Sequence, residues 1–295
     1  PGGDAFEVHA VDLDERDEFE APHRADGWRA FVRGTIAELR AAGHDVQPAR
    51  LTIEGDLPQG SGLSSSAALE AALCLALTDI DPTHADRVEL AKLCSRVEND
   101  WVGARTGLLD QLAVLCGEDG HALRIDFRTL DIRPVPLELG DWTLVTLDSG
   151  ASHEHAGGGY NERRAETDEA RELLGLDSLR DAAAETDLPE PLNRRVRHIV
   201  TENARVEATI AALHAHDLHA VGELLDASHA SLRDDYEASV PAVEATVTAL
   251  KDAGAAGARM VGGGFGGSVL ALLPPGAARL PGTLVVTPGP AARRL

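Results

Sequence analysis

The run LPQGSGLSSSAAL, Leu57 to Leu69, constrains this chain more than any other segment, because a glycine loop there must lead straight into a buried helix. Gly60 and Gly62 precede Ser64, Ser65 and Ser66, and the chain continues as the apolar stretch SSSAALEAALCLAL. Glycines let a backbone approach a ligand closely, and the free amides and dipole of a helix N-terminus favour an anion such as phosphate. The serine hydroxyls add donors or a ligand for Mg²⁺. A glycine turn with a serine N-cap is the plainer alternative, although three serines exceed what a cap requires. No GK[ST] follows, so the loop is not a Walker A loop.

The pattern on either side is mixed. AFEVHAVDL alternates as a strand and is followed by the acidic run DLDERDEFE. A helix is expected from about Gly27 to Ala42, and then a short strand, ARLTIEGDL, which ends at Pro58. DRVELAKLCSRVENDWVG reads as one amphipathic helix with Leu90, Leu93, Val97 and Trp101 on its apolar face and Glu98 at the margin. A third helix spans roughly Leu108 to Cys116, and strands follow at HALRIDFRTL and DWTLVTLDSG. Helices dominate Tyr160 to Ala253, interrupted near DLPEPLN. A second glycine loop, VGGGFGGSVLALL, leads into an apolar strand. This order of elements predicts an α+β protein in two halves, residues 1–140 with the first loop and residues 141–295 with the second.

Composition narrows the function. With 295 residues, 43% of them hydrophobic, the chain can bury a large core. The formal charge of −22 arises from 49 acidic against 27 basic residues, with Lys92 and Lys251 the only lysines. A polyanion would be repelled, so no nucleic-acid partner is expected. The acidic, lysine-poor balance suits a halophile, where salt screens repulsion, and also fits an ordinary acidic protein from a GC-rich genome. Cys74, Cys94 and Cys116 stand singly in apolar helical patterns and read as buried small hydrophobes. No apolar run approaches the roughly 20 residues of a membrane span, and PGGDAFEVHA does not resemble a signal peptide. A cytoplasmic monomer acting on small molecules is expected.

Two motifs in order make the reading specific. PxGxGLSSSAA resembles the nucleotide-phosphate motif of the galactokinase/homoserine kinase/mevalonate kinase superfamily, and MVGGGFGGSVLAL resembles the third motif of the same superfamily. The resemblance implies the two-domain small-molecule kinase fold of that superfamily, with helices packed on mixed sheets. It also implies that Gly60, Ser61, Gly62, Leu63, Ser64, Ser65 and Ser66 wrap the triphosphate of ATP. GLLDQLAVLCGEDGHALRIDFRTL looks like the galactokinase pattern Gly-x-x-Asp-Gln followed by a strand ending Asp-x-Arg-x-Leu. That match makes Asp110 the carboxylate facing the sugar hydroxyl, as general base or electrostatic partner. A first-turn carboxylate stabilised by the helix dipole is the alternative. Glu98 stands twelve residues before Asp110, where galactokinases carry a glutamate that binds Mg²⁺ together with a loop serine, here Ser66. A solvated helix glutamate is the other reading of that position.

LDSGASHEHAGGGYNERRAE is close to the galactokinase stretch ending Tyr-Asn-x-Arg-Arg, so Tyr160 is implied in sugar contact, with Gly107 giving a backbone contact. The His153, Glu154 and His155 cluster could hold a metal, but such alternation more often does other work. RHIVTENARV and ASHASLRDDYEASVPAVEATV resemble the helical region of galactokinases. The match runs from near residue 27 to 273, and nothing in residues 1–50 reproduces the Gly-Glu-His-Thr-Asp-like segment with which galactokinases begin. His9, Glu18, His23 and Asp26 lack its spacing. The expectation is therefore a fragment, or a chain with a mis-set start, that phosphorylates sugar poorly on its own. The implied activity is transfer of the γ-phosphate of Mg-ATP to galactose. N-acetylgalactosamine, arabinose or mevalonate kinases share the loops, and a non-catalytic ATP and sugar sensor of the same family remains as an alternative.

Overall fold

In the computed structural model, which describes residues 4–57, 62–80, 84–104, 106–151 and 156–294, the chain forms two compact units. The first comprises Pro1–Pro58, Ser64–Pro134 and Gly289–Leu295, and the second Gln59–Leu63 and Val135–Pro288. Among the described residues no helix is long and apolar enough to cross a membrane.

The first unit begins with β1 (Phe6–Ala10) and β2 (Glu15–Phe19), which pair antiparallel with Phe6 opposite Phe19. The two rings stack with centroids 5.3 Å apart. β2 occupies the acidic run, which has no apolar alternation to reveal a strand. Its Asp17 is instead held by both guanidinium nitrogens of Arg33, at 2.9 and 2.7 Å, while that guanidinium lies 4.6 Å from the Phe19 ring centroid. Arg33 belongs to α1 (Trp28–Ala41), whose Val32, Ile36 and Leu39 recur at helical spacing and are fully buried. The chain then returns as β3 (Arg50–Ile53), parallel to β1, to give the order β2-β1-β3.

Beneath this sheet lie α2 (Ser65–Leu77), α3 (His84–Arg96) and α4 (Leu109–Cys116). Leu73, Cys74, Leu90, Cys94, Leu112 and Leu115 join Phe6, Ile36 and Leu39 in one core. Cys74 and Cys94 are both buried and free, as expected of small hydrophobes. A two-stranded ladder of β4 (His121–Asp126) and β5 (Asp131–Pro136) follows. β5 was not evident in sequence because Pro134 and Pro136 interrupt it, and a ladder of two strands tolerates the missing donors. Near the C-terminus, the Ala292 amide donates to the Val114 carbonyl at 2.8 Å.

The second unit is an antiparallel sheet of β6 (Thr143–Asp148), β7 (Gly257–Met260), β8 (Ser268–Leu273) and β9 (Leu284–Val285) in the order β7-β8-β6-β9. Its helices are α5 (Ala156–Leu173), α6 (Leu192–His214), α7 (Leu218–Asp234) and α8 (Pro241–Asp252). Arg195 of α6 is 1% exposed and ties three segments together. It donates to Glu166 of α5, to the Asp235 carbonyl and to Glu237, each at 2.6 Å. A buried guanidinium needs this full set of partners to offset its desolvation.

α7 crosses β7 at two glycines. A Cβ added to Gly257 would lie 1.9 Å from the Gly222 carbonyl oxygen. Gly257→Ala therefore has to separate helix from strand, and an overpacking cost of about 3 kcal/mol is expected. Denaturant unfolding of the purified variant measures this, and an unchanged midpoint would contradict the close approach.

Candidate active site

α2 starts in an unusual way. Ser64, its N-cap residue, has φ of 56° in the left-handed region, and its side chain makes no capping bond to the helix. That hydroxyl instead reaches the carboxyl of Asp110 on α4. Two residues on, Ser66 Oγ donates to Glu98 Oε1 at 2.7 Å. The first turn of α2 thus turns one serine to each of two carboxyl groups. The capping alternative does not hold, because Ser64 leaves the helix amides uncapped by its side chain.

Glu98 owes its place to a departure from the expected single helix. After Arg96 the backbone widens into a π-turn, Val97–Val102, a form that often accompanies functional sites. Gly103 ends it with φ of 87°, and the amides of Gly103 and Ala104 both donate to the Glu98 carbonyl at 2.9 Å. The wider turn keeps Val97 and Trp101 together against Gly34 of α1, where an added Cβ would come within 2.8 Å of either side chain. Glu98 is left 5% exposed, deeper than the margin that a regular helix gives it. Its second oxygen, Oε2, accepts from the Thr106 hydroxyl. Among the described residues, both donors to this carboxyl group are neutral hydroxyls.

The other two carboxyl groups nearby, Asp110 and Glu70, each feel the charge of Glu98. Asp110 is half-buried, and burial raises its pKa; the Ser64 hydroxyl opposes that rise and the charge of Glu98 adds to it. Glu70, one turn along α2 from Ser66, is 0% exposed. Burial pushes its pKa up to about 10, with Cys94 and Glu98 acting in the same direction and the Gln111 amide against them. Among the described residues, no cation is among the groups acting on Glu70 or Asp110.

Of the residues singled out in sequence, Ser64, Ser66, Glu98 and Asp110 come together in the first unit. Gly107 precedes them on the approach to α4, and a Cβ built there meets nothing within 4 Å, so its backbone is open. Gly62 has φ of 75°, which glycine adopts without strain. Leu63 and Ser65 are partly exposed on either side of Ser64. Gly60 and Ser61 lie outside the described residues, as do His153, Glu154 and His155.

Tyr160 belongs to the second unit, on α5. Its ring packs over Gly263 of the second glycine loop, where an added Cβ would be 3.0 Å away. It lines a groove of about 450 Å³ together with Arg164, Asp168, Arg171, Ser178 and Tyr236. In that glycine loop Gly262, Gly264, Gly266 and Gly267 all have positive φ, and the Phe265 amide donates to the Ala238 carbonyl at 2.7 Å. The bond from Phe265 and the run of left-handed glycines give the loop a defined path.

Thr106, Glu70 and Gln111 were not picked out in sequence. A lone acidic residue in AALEAALCLAL is the signal that could have found Glu70. Thr106 carried no such mark.

Comparison with known proteins follows the same lines. Residues 30–118 match the family described as GHMP kinases N terminal domain, and residues 209–280 match GHMP kinases C terminal. The galactokinase of Mycobacterium tuberculosis strain H37Rv is 46% identical over 266 residues, covering 88% of this chain and 73% of that protein. That of Streptomyces coelicolor is 41% identical over 280 residues, covering 92% of this chain and 70% of its own length. Among solved structures, Lactococcus lactis galactokinase complexed with galactose superimposes with a TM-score of 0.86 at 37% identity, covering 92% of this chain and 75% of that one. The L. major mevalonate kinase in complex with R-mevalonate, at 18% identity and a TM-score of 0.60 over 97% of this chain and 83% of that one, shares the fold.

The buried acid gives a pH test. Below the ordinary Glu value of 4.5, folded and unfolded chains both carry the Glu70 proton, so the side chain costs nothing through ionisation. Between 4.5 and about 10 the folded chain keeps a proton that the unfolded chain releases, and stability falls as pH rises. Glu70→Gln removes that penalty. It should stabilise the protein by roughly 2–3 kcal/mol at about pH 7 and far less at about pH 3.5, read by urea unfolding. An equal effect at both pH values would contradict a neutral buried acid.

Proposed function

Since the chain belongs to the galactokinase family of GHMP kinases, we propose that it transfers the γ-phosphate of ATP to the C1 hydroxyl of galactose, giving galactose 1-phosphate. The observation that carries this reading is the first turn of α2, which sets Ser66 against buried Glu98 and Ser64 against Asp110. Phosphoryl transfer asks a protein mainly to position the two substrates and to neutralise charge, with little covalent work of its own.

The residues take separate roles. Gly60 to Ser66 surround the triphosphate, and the free amides at the start of α2 face its negative charge. The Ser66 hydroxyl and the Glu98 carboxylate, 2.7 Å apart, are hard oxygen donors of the kind Mg²⁺ prefers. Among the described residues Glu98 is buried with hydroxyl donors alone, a carboxylate that gains from a cation, so the pair fits the metal. Bound there, Mg²⁺ would supply charge neutralisation at the phosphates. Asp110 faces the sugar hydroxyl; its raised pKa increases its affinity for the proton that the hydroxyl gives up. Gly107 offers its open backbone to the sugar, and Tyr160 contributes a hydroxyl and an aromatic face from α5. ATP as phosphate donor places the reaction in the cytoplasm.

Steady-state kinetics with galactose and Mg-ATP tests the assignment. Asp110→Asn should lower kcat by a factor on the order of 10³ with the fold intact. Turnover like that of the wild type in this variant would remove Asp110 from the mechanism. A wild-type protein that leaves galactose untouched while phosphorylating another sugar would overturn the substrate.

A further inference from the structure

Two polar side chains behind the serine and carboxyl cluster have no role in the scheme above. Glu70 is 0% exposed and Gln111 1%. Neither oxygen of Glu70 and neither amide atom of Gln111 has a hydrogen-bond partner among the described residues. Buried polar atoms in folded proteins nearly always find partners, and leaving four without any is costly. The Gln111 amide is nonetheless the one group near Glu70 that opposes the upward push on its pKa, as a hydrogen-bond donor to the carboxyl.

Their positions matter more than their burial. Glu70 follows Ser66 by one turn on the same face of α2, and Gln111 is the residue after Asp110 on α4. α2 packs directly on α4 within the first unit. Glu98 acts electrostatically on both Glu70 and Asp110.

We propose that Glu70 is a positioning residue of the kinase site: with Gln111 it forms a buried acid–amide pair that ties α2 to α4 and sets the spacing between Ser66 and Asp110. The chemistry is complementary. A neutral carboxylic acid offers one O–H donor and one carbonyl acceptor, and a carboxamide offers N–H and C=O in return. A carboxylate could satisfy only the N–H side. Burial and the nearby Glu98 charge both favour the protonated acid, which is the form the pair requires. The inference rests on the kinase reading of the site and extends it to two residues that touch neither substrate.

The test compares Glu70→Gln with the double variant Glu70→Leu/Gln111→Leu. Glutamine reproduces the donor and acceptor pair, so Glu70→Gln should keep the wild-type kcat. The double variant removes all four polar atoms as a set, so its melting temperature should match or exceed that of the wild type. Its kcat should nevertheless fall on the order of 100-fold, with KM for ATP and galactose little altered, because the reacting groups lose their spacing. A folded double variant with wild-type kcat overturns the proposal, as does a Glu70→Gln variant that falls as far as the double one. Inactivity of the wild type toward galactose would strike the substrate reading alone. The spacing is then read by calorimetry, as the tightening of ATP binding by Mg²⁺. Glu70→Gln should keep that tightening and the double variant should lose it, and its retention in the double variant overturns the proposal.

Discussion

The first unit is organised by the burial of three acidic side chains, Glu70, Glu98 and Asp110, around one helix N-terminus. Glu70 and Glu98 are 0% and 5% exposed, Asp110 is half-buried, and the charges that act on Glu70 and Asp110 raise their pKa values. Burying these side chains costs stability: Glu70 keeps a proton that the unfolded chain releases, and Asp110 is pushed in the same direction. On the proposed function, a cation and a phosphate chain beside these groups would offset that cost.

Much else in the unit serves to hold those groups in place. Gly34 lets the π-turn approach α1, the π-turn fixes Glu98, and Thr106 and Ser66 hold its two oxygens. The left-handed backbone at Ser64 turns its hydroxyl toward Asp110 and away from the helix it begins. Backbone strain at a non-glycine residue persists only where the surroundings impose it, and it is concentrated at functional sites. In the second unit the same logic runs through Arg195, whose buried pairs with Glu166 and Glu237 fix α5, the helix that carries Tyr160.

The sequence pointed to Ser64 and Ser66 through the glycine–serine run and to Glu98 and Asp110 through the family resemblance, and the structure brings these four together; the fold class was legible because its two glycine loops flank helices and strands of clear period. It hid what depends on tertiary packing. One amphipathic pattern covered both α3 and the π-turn, since the apolar stripe of Leu90, Leu93, Val97 and Trp101 does not register an extra residue in the turn. β2 was masked by acidic residues whose partner, Arg33, lies sixteen positions away. The pairing of Glu70 with Gln111 is invisible locally, because each residue alone looks like an ordinary helix side chain.

Crystals grown with Mn²⁺ and a non-hydrolysable ATP analogue, measured at the manganese edge, test the central claim most directly. The account predicts an anomalous peak about 2.2 Å from both Ser66 Oγ and a Glu98 carboxylate oxygen, bridging to the phosphates. A metal held by the nucleotide alone, with the Ser66 and Glu98 hydrogen bond intact, would contradict it.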